Sequence, residues 1–310
     1  MRAVVYRSVG GPEVIEVAEV DRPEPGLFEI RIKVDAAALN PADVAAWSGL
    51  FPAPPEGTHF GLGWDVAGTV DAVGPYAGWE IGTPVIAIVQ GATGVVRAQG
   101  EYAIAPSNAV AIAPAGVDAV HAATIPLNGL TAAQSVELLG LSAGQNVLIT
   151  GAAGAVGGYA VQLAKRRGLT VIASGRVEDG GFVTGVLGAD VFVPASDDPT
   201  AAVRELAPNG VDGAVDTATL GSRIVGAVTD GGTFVATRID GVPEPERGIR
   251  LRLTRAAPDA AMLTTLSDLA AAGSLALRVA QIYPLEQAAQ AHARLAEGGG
   301  LRGRLVLTTW

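Results

Sequence analysis

The chain has 310 residues, 49% of them hydrophobic, with a formal net charge of −10, no cysteine and three histidines. That length exceeds the usual single domain of about 100–200 residues, so two domains are expected. The acidic balance argues against a nucleic-acid-binding surface, the absence of thiols excludes disulfides and a thiolate-held zinc, and no apolar run approaches the ~18–20 residues of a membrane span.

The N-terminus Met1-Arg-Ala-Val-Val-Tyr6 enters a strand pattern directly, without the features of a signal peptide, so a cytoplasmic location is expected. Short strands follow at 3–7, 14–20, 30–38, 65–73, 84–88 and 103–106, where β-branched residues alternate or cluster between Gly/Pro turns. These describe a small all-β module. From Asp118 the texture changes, with helices predicted at 118–124 and 131–139. A βα alternation then begins. Its strands are predicted at 147–150, 170–174, 191–193, 213–216 and 233–237, with helices at 158–167, 179–187, 199–206 and 221–229. Such alternation implies an α/β fold with a parallel, doubly wound sheet, to which 250–255 would add a sixth strand. The tail reads as helix 258–272, strand 277–283, helix 285–296 and strand 304–308, with 297–300 a loop. It is expected to rejoin the N-terminal module. The domains are therefore placed at 1–122 with 273–310, and at 123–272.

The most informative segment is Gly151, Ala152, Ala153, Gly154, Ala155, Val156 and Gly157. The apolar Asn146-Val-Leu-Ile-Thr150 precedes it, and a helical stretch ending in Lys165-Arg-Arg167 and closed by Gly168 follows. Strand, glycine turn and helix in this order form the corner of a dinucleotide fold that grips a pyrophosphate. Folds selective for NAD place Asp or Glu at the end of the second strand, about 20 residues past the glycines. Here that place reads Ala173-Ser-Gly-Arg176. No carboxylate repels a 2′-phosphate, and Ser174 and Arg176 are able to donate to one, which points to NADPH. The alternative for Arg176 is a solvated turn arginine. Further cofactor contacts are expected at strand ends, from Thr217, Thr237 and Arg238, with Asp216 in a structural role. His59, His121 and His292 lie far apart without metal-ligand spacing, so no metal site is expected.

The whole chain resembles the zinc-free quinone oxidoreductase branch of the medium-chain dehydrogenase/reductase superfamily. The segments that carry the resemblance are Met1–Tyr6 with Gly10-Gly-Pro-Glu-Val14, Asn40-Pro-Ala-Asp43, Gly63-Trp-Asp-Val-Ala-Gly-Thr-Val70, Pro126-Leu-Asn-Gly-Leu-Thr131, the glycine motif, Leu187-Gly-Ala-Asp190, Asp216-Thr217 and Arg302–Leu307. It implies a discontinuous GroES-like substrate domain, a Rossmann domain, a cleft between them and a homodimer, for which strand 250–255 offers an edge. Zinc-dependent relatives carry a cysteine where Asn40 stands and a His-Glu pair where Trp64-Asp65 stands. They also carry a four-cysteine lobe where this chain has only the short stretch 90–100. The metal-assisted alcohol chemistry is therefore not expected.

The resemblance implies an NADPH-dependent reductase of quinones. The alternative is reduction of an enone or enoyl C=C bond, and a third reading is a non-catalytic nucleotide-binding protein. It places Asn40 and Asp43 at the cleft, Asn40 as the polar group near the acceptor. Asp43 is either a second such group or a carboxylate that caps the helix and braces the loop. Thr131 touches the nicotinamide amide, caps a helix, or does both. Trp47, His59 and Trp64 are either cleft walls or, for the tryptophans, core; His59 is either a proton donor or a surface-loop histidine. Arg302 would reach the cofactor phosphates. Asn128, where many relatives have a small or aromatic residue, sets an amide near the nicotinamide. The charged, Pro-containing segment 238–250 is a second departure that bears on acceptor identity.

Overall fold

A computed structural model describes residues 1–89, 91, 93–298 and 301–309; parts of the loops read at 90–100 and 297–300 lie outside the described residues. The chain divides into two compact units, Met1–Leu127 with Pro258–Trp310, and Asn128–Ala257.

The first unit is β-rich. Its longest strand, Glu29–Ala38, pairs antiparallel with Asp65–Val73, Tyr102–Pro106 and Arg304–Thr308. Asp65–Val73 in turn carries Pro84–Ile88, and that strand carries Val110–Ile112. Alternation explains the packing: Ile30, Ile32 and Val34 face inward with Val66, Val70 and Val85 to form one core. A second sheet sets Arg2–Tyr6 between Ile15–Glu19 and Phe60–Gly61. The helices Pro41–Trp47 and Ala288–Ala296 contribute to a second core with Tyr6, Leu39, Leu62 and Leu305.

The helix Ala260–Ala271 belongs to this first unit. It buries Leu263 and Leu266, and Ser267 Oγ donates to Ile112 O at 2.7 Å on the strand Val110–Ile112. The expected divisions after 122 and 272 therefore stand at 127 and 257.

The second unit is a six-stranded parallel sheet in the order Val191–Pro194, Thr170–Gly175, Asn146–Thr150, Val211–Asp216, Val228–Ala236, Arg250–Leu253. The first strand in sequence lies in the middle and the order reverses beside it, which is the doubly wound arrangement. Strands buried on both faces supply its core, with Leu148, Ala214 and Phe234 inside. Two sequence expectations fail here. Residues 221–229 do not form a helix; two 3₁₀ turns, Gly221–Arg223 and Val225–Ala227, lead directly into the strand Val228–Ala236. Side chains take the backbone bonds a helix would have used: Asp216 Oδ2 accepts from Gly221 N, and Arg204 Nη2 donates to Gly226 O, both at 2.8 Å. The other concerns Thr131. The helix starts at Pro126 and runs to Leu138, so Thr131 is interior and caps nothing. Proline at the first helical position, where the missing N–H is harmless, accounts for the earlier start. Among the described residues no helix is long and apolar enough to cross a membrane.

Phe234 is fully buried in the centre of the parallel sheet. Phe234→Ala is expected to lower unfolding stability by about 3–5 kcal/mol, measured by urea denaturation.

Candidate functional site

The glycine turn has the geometry that a closely approaching phosphate requires. Gly151 adopts φ +59, a left-handed conformation open to glycine, and a Cβ there would stand 2.7 Å from Thr217 Oγ1. At Gly157 a Cβ would come within 2.2 Å of Gly151 O, so helix and turn fit together only without side chains. Gly154 is the N-cap of the helix Ala155–Arg166. The first-turn N–H groups of a helix have no acceptor within it and give its end a positive dipole. Ala155 and Val156 stand partly exposed there, while Ala152 and Ala153 are buried beneath. Ala152 N donates to Ser174 O at 3.0 Å, locking the turn to the neighbouring strand.

That strand ends in Gly175. Ser174 is buried, whereas Arg176 is exposed and makes no ion pair among the described residues. Asp216 is structural: its Oδ1 accepts from Thr150 Oγ1 at 2.6 Å and its Oδ2 from Gly221 N. The Thr217 hydroxyl donates to Thr150 O at 2.7 Å, and the Thr237 hydroxyl to Asp216 O at 3.0 Å. Arg238, expected at the cofactor, is engaged in a two-point ion pair with Asp240, at 3.0 and 2.7 Å. Asn128 is buried and Thr131 half-buried in their helix; Arg302 is exposed in the other unit.

In the first unit a hydrogen-bond network joins three distant segments. Asn40 is the N-cap of Pro41–Trp47. Its own N–H donates to Asp43 Oδ2 at 2.8 Å, while Asp43 Oδ1 accepts from Gly63 N at 2.8 Å. The Asn40 side-chain Nδ2 donates to Asp65 Oδ2, with a longer bond to Ala38 O at 3.3 Å. Asp65 Oδ1 accepts from Leu127 N, in the first turn of Pro126–Leu138. Asp43 and Asp65 are both fully buried. Burial pushes the Asp43 carboxyl up to about 6, against the opposing pull of its N–H donors and of the Arg97 charge. Burial likewise pushes Asp65 up to about 7, and the neighbouring Asp43 charge adds to the rise.

Two tryptophans have different fates. Trp64 is half-buried, with the Arg97 guanidinium 3.9 Å from its ring centroid and the Phe51 ring 6.4 Å away. Arg97 is itself buried and donates through Nη2 to Val89 O at 2.9 Å; burial lowers its pKa to about 10. Trp47, by contrast, is a core residue, only 4% exposed, and is no cleft wall. Its indole N–H donates to His292 Nδ1 at 3.3 Å, and His292 Nε2 meets Gln99 Oε1 at 2.8 Å. Burial holds His292 near 3, so it is neutral, with its proton on Nε2. His59 is half-buried, and its Nε2 finds no partner among the described residues. Sequence reading gave His292, Gln99 and Arg97 no role. Asp65 had a visible signal, a carboxylate opening a strand beside Trp64 in a recognised motif.

A family model for the alcohol dehydrogenase GroES-like domain matches residues 26–125, and one for zinc-binding dehydrogenases matches 187–307. The quinone oxidoreductase of Coxiella burnetii superposes with a TM-score of 0.86 at 26% identity, covering 100% of this chain and 99% of that one. An NAD-dependent alcohol dehydrogenase of known structure superposes at 0.85 with 32% identity and full coverage of both chains. The chain belongs to the medium-chain dehydrogenase/reductase superfamily, in its quinone oxidoreductase-like branch. A chloroplastic quinone-oxidoreductase homolog of Spinacia oleracea is 37% identical over 199 residues, 61% of this chain and 60% of that relative. The chain thus spans about three-fifths of that relative's length.

The superfamily implies a nicotinamide cofactor, and the turn at Gly151–Gly157, packed too tightly for side chains and leading into the N-terminus of the helix Ala155–Arg166, fits one. Zinc does not fit. Where the resemblance would put zinc ligands, this chain has the Asn40 amide, the Trp64 indole and an Asp65 carboxyl already bonded to Asn40 and Leu127, a donor set that does not suit zinc.

A raised native pKa means the folded state binds its proton more tightly than the unfolded chain, so that part of the stability is present at low pH and lost as pH rises. For Asp43 the window runs from 3.8 to about 6. The stability advantage of the native chain over Asp43→Asn should therefore shrink between about pH 4 and pH 7, read from urea melts across that range.

Proposed function

We propose that the chain is an NADPH-dependent oxidoreductase that passes hydride to a quinone without a metal. The observation that carries this reading is Arg176: an exposed guanidinium with no ion-pair partner among the described residues, one residue past the second strand of the parallel sheet, whose end, Ala173–Arg176, carries no carboxylate before Glu178. Such a site favours the 2′-phosphate that distinguishes NADPH from NADH. The names borne by the similar proteins support the quinone as acceptor.

When bound, the nicotinamide supplies a hydride. The protein's own contribution is to hold and orient. The glycine turn and first-turn N–H groups at Ala155–Gly157 would carry the pyrophosphate, and Ser174 with Arg176 the 2′-phosphate. Hydride arrival builds negative charge on a quinone oxygen, which needs a fixed donor. Asn40 is that donor in this reading. Its Nδ2 bond to Ala38 O, at 3.3 Å, is long for an N–H···O bond and is the one to be exchanged for substrate. Trp64, half-buried and stacked on Arg97, would offer a flat wall to an aromatic ring. The strand Arg250–Leu253 ends the parallel sheet and, with its outer edge, would pair with a second copy to make a homodimer; size-exclusion chromatography with light scattering should return twice the chain mass.

The decisive assay is oxidation of NADPH and of NADH by the purified protein with a simple ortho-quinone. NADPH should be strongly preferred. Arg176→Ala should lower kcat/KM for NADPH by about 10–100-fold while leaving NADH nearly unchanged, the range set by loss of a charged hydrogen bond. Equal use of both cofactors, or a ratio unaltered by the substitution, would defeat the proposal.

A further inference from the structure

We infer that Asp65 is a positioning residue: its buried carboxylate grips one hydrogen of the Asn40 amide and the start of the helix Pro126–Leu138 at once, and so aims the other amide hydrogen at the acceptor. The inference rests on the reductase reading above for what Asn40 does, but the grip itself is independent of it.

An amide side chain has two hydrogens on one nitrogen and a nearly two-fold torsion at its end, so nothing intrinsic fixes which way it faces. One short bond to a fixed carboxyl oxygen fixes both hydrogens together. Asp65 Oδ2 takes that bond from Asn40 Nδ2, and the same nitrogen makes a longer contact to Ala38 O at 3.3 Å. The carboxylate cannot turn to follow Asn40, because its other oxygen is held by Leu127 N. Asp65 opens the strand Asp65–Val73, whose register on Glu29–Ala38 and Pro84–Ile88 is set by paired strands on both sides. Asn40 is anchored separately, through its own N–H, to Asp43, and Asp43 is anchored to Gly63 two residues before Asp65. The loop at 40–43 and the turn at 63–65 are thus clamped twice, once through backbone and once through side chain. Asp43 holds the main chain of Asn40. Asp65 holds its amide.

A carboxyl that merely stabilised the fold would act on turnover independently of Asn40. A residue acting through Asn40 has nothing left to act on once that amide is gone, so the two losses cannot multiply. The experiment is a double-mutant cycle of Asp65→Asn and Asn40→Ala, read as kcat with an ortho-quinone, with NADPH affinity measured separately by fluorescence titration. Asp65→Asn keeps the shape but replaces one acceptor by a donor, facing either Asn40 or Leu127 with a like group. It should lower kcat by roughly 10–100-fold, the scale of a misplaced reacting group, with NADPH affinity unchanged. The double variant should be no slower than Asn40→Ala alone. Multiplying losses, or an unaltered kcat in Asp65→Asn, would overturn the inference.

Should the native chain turn over no quinone or enone, the reductase reading falls while the grip is still tested by NMR. The Asn40 side-chain amide protons, identified by their loss in Asn40→Ala, should move upfield and exchange faster in Asp65→Asn. Resonances that stay in place would refute the grip. If Asp65→Asn shows no cooperative melt, Asp65→Glu carries the same cycle and the same spectra, since it keeps the charge and both acceptors on a longer arm.

Discussion

Two carboxylates without access to water, Asp43 and Asp65, constrain everything around them in the first unit. A buried carboxylate lacking partners is several kcal/mol out of balance, and removing one donor exposes the whole of that deficit. The donors that satisfy this pair come from Asn40, Gly63 and Leu127, segments that have no reason of local propensity to meet. Their backbone positions therefore follow from the two acids. The site is rigid because these acids leave its loops no alternative arrangement.

The second unit reaches rigidity by another route. Its turn is fixed by steric exclusion, through the approach of Gly157 to Gly151, and by Asp216, whose two oxygens brace Thr150 and the turn at Gly221. Polar side chains here brace the ends of the parallel strands, and the helix N-terminus is partly exposed at Ala155 and Val156. Fixed N–H donors suit a charged ligand, because they need no reorganisation to receive it.

How much of this was readable in advance depends on the range of the interaction. The strands Asp65–Val73, Pro84–Ile88 and Arg304–Thr308 lie where alternation put them, since burial of one face imprints a two-residue period. The glycine turn was equally legible, because its signal is contained in a dozen consecutive residues. Residues 221–229 were misread because the βα alternation called for a helix there, although Gly221, Gly226 and the β-branched residues suit one poorly and side chains of Arg204 and Asp216 take the backbone groups instead. Trp47 was misplaced for the same reason on a larger scale. Its partner His292 lies 245 residues away, and no pattern around either residue announces the meeting. Thr131 was given a cap as one of its readings because the helix was read as starting at 131, whereas Pro126 opens it.

The strand Arg304–Thr308 carries a consequence for how the chain assembles. It pairs with Glu29–Ala38, so the first unit is built from segments on either side of Asn128–Ala257, which is itself one uninterrupted stretch. On a ribosome the parallel sheet has all its strands once Ala257 has emerged. The β-rich unit, begun before that sheet, still lacks a strand from its main sheet until Arg304–Thr308 has been made. It thus closes after the parallel sheet that follows its first segments, and until then the edge of Glu29–Ala38 is the stretch most in need of shelter from other chains.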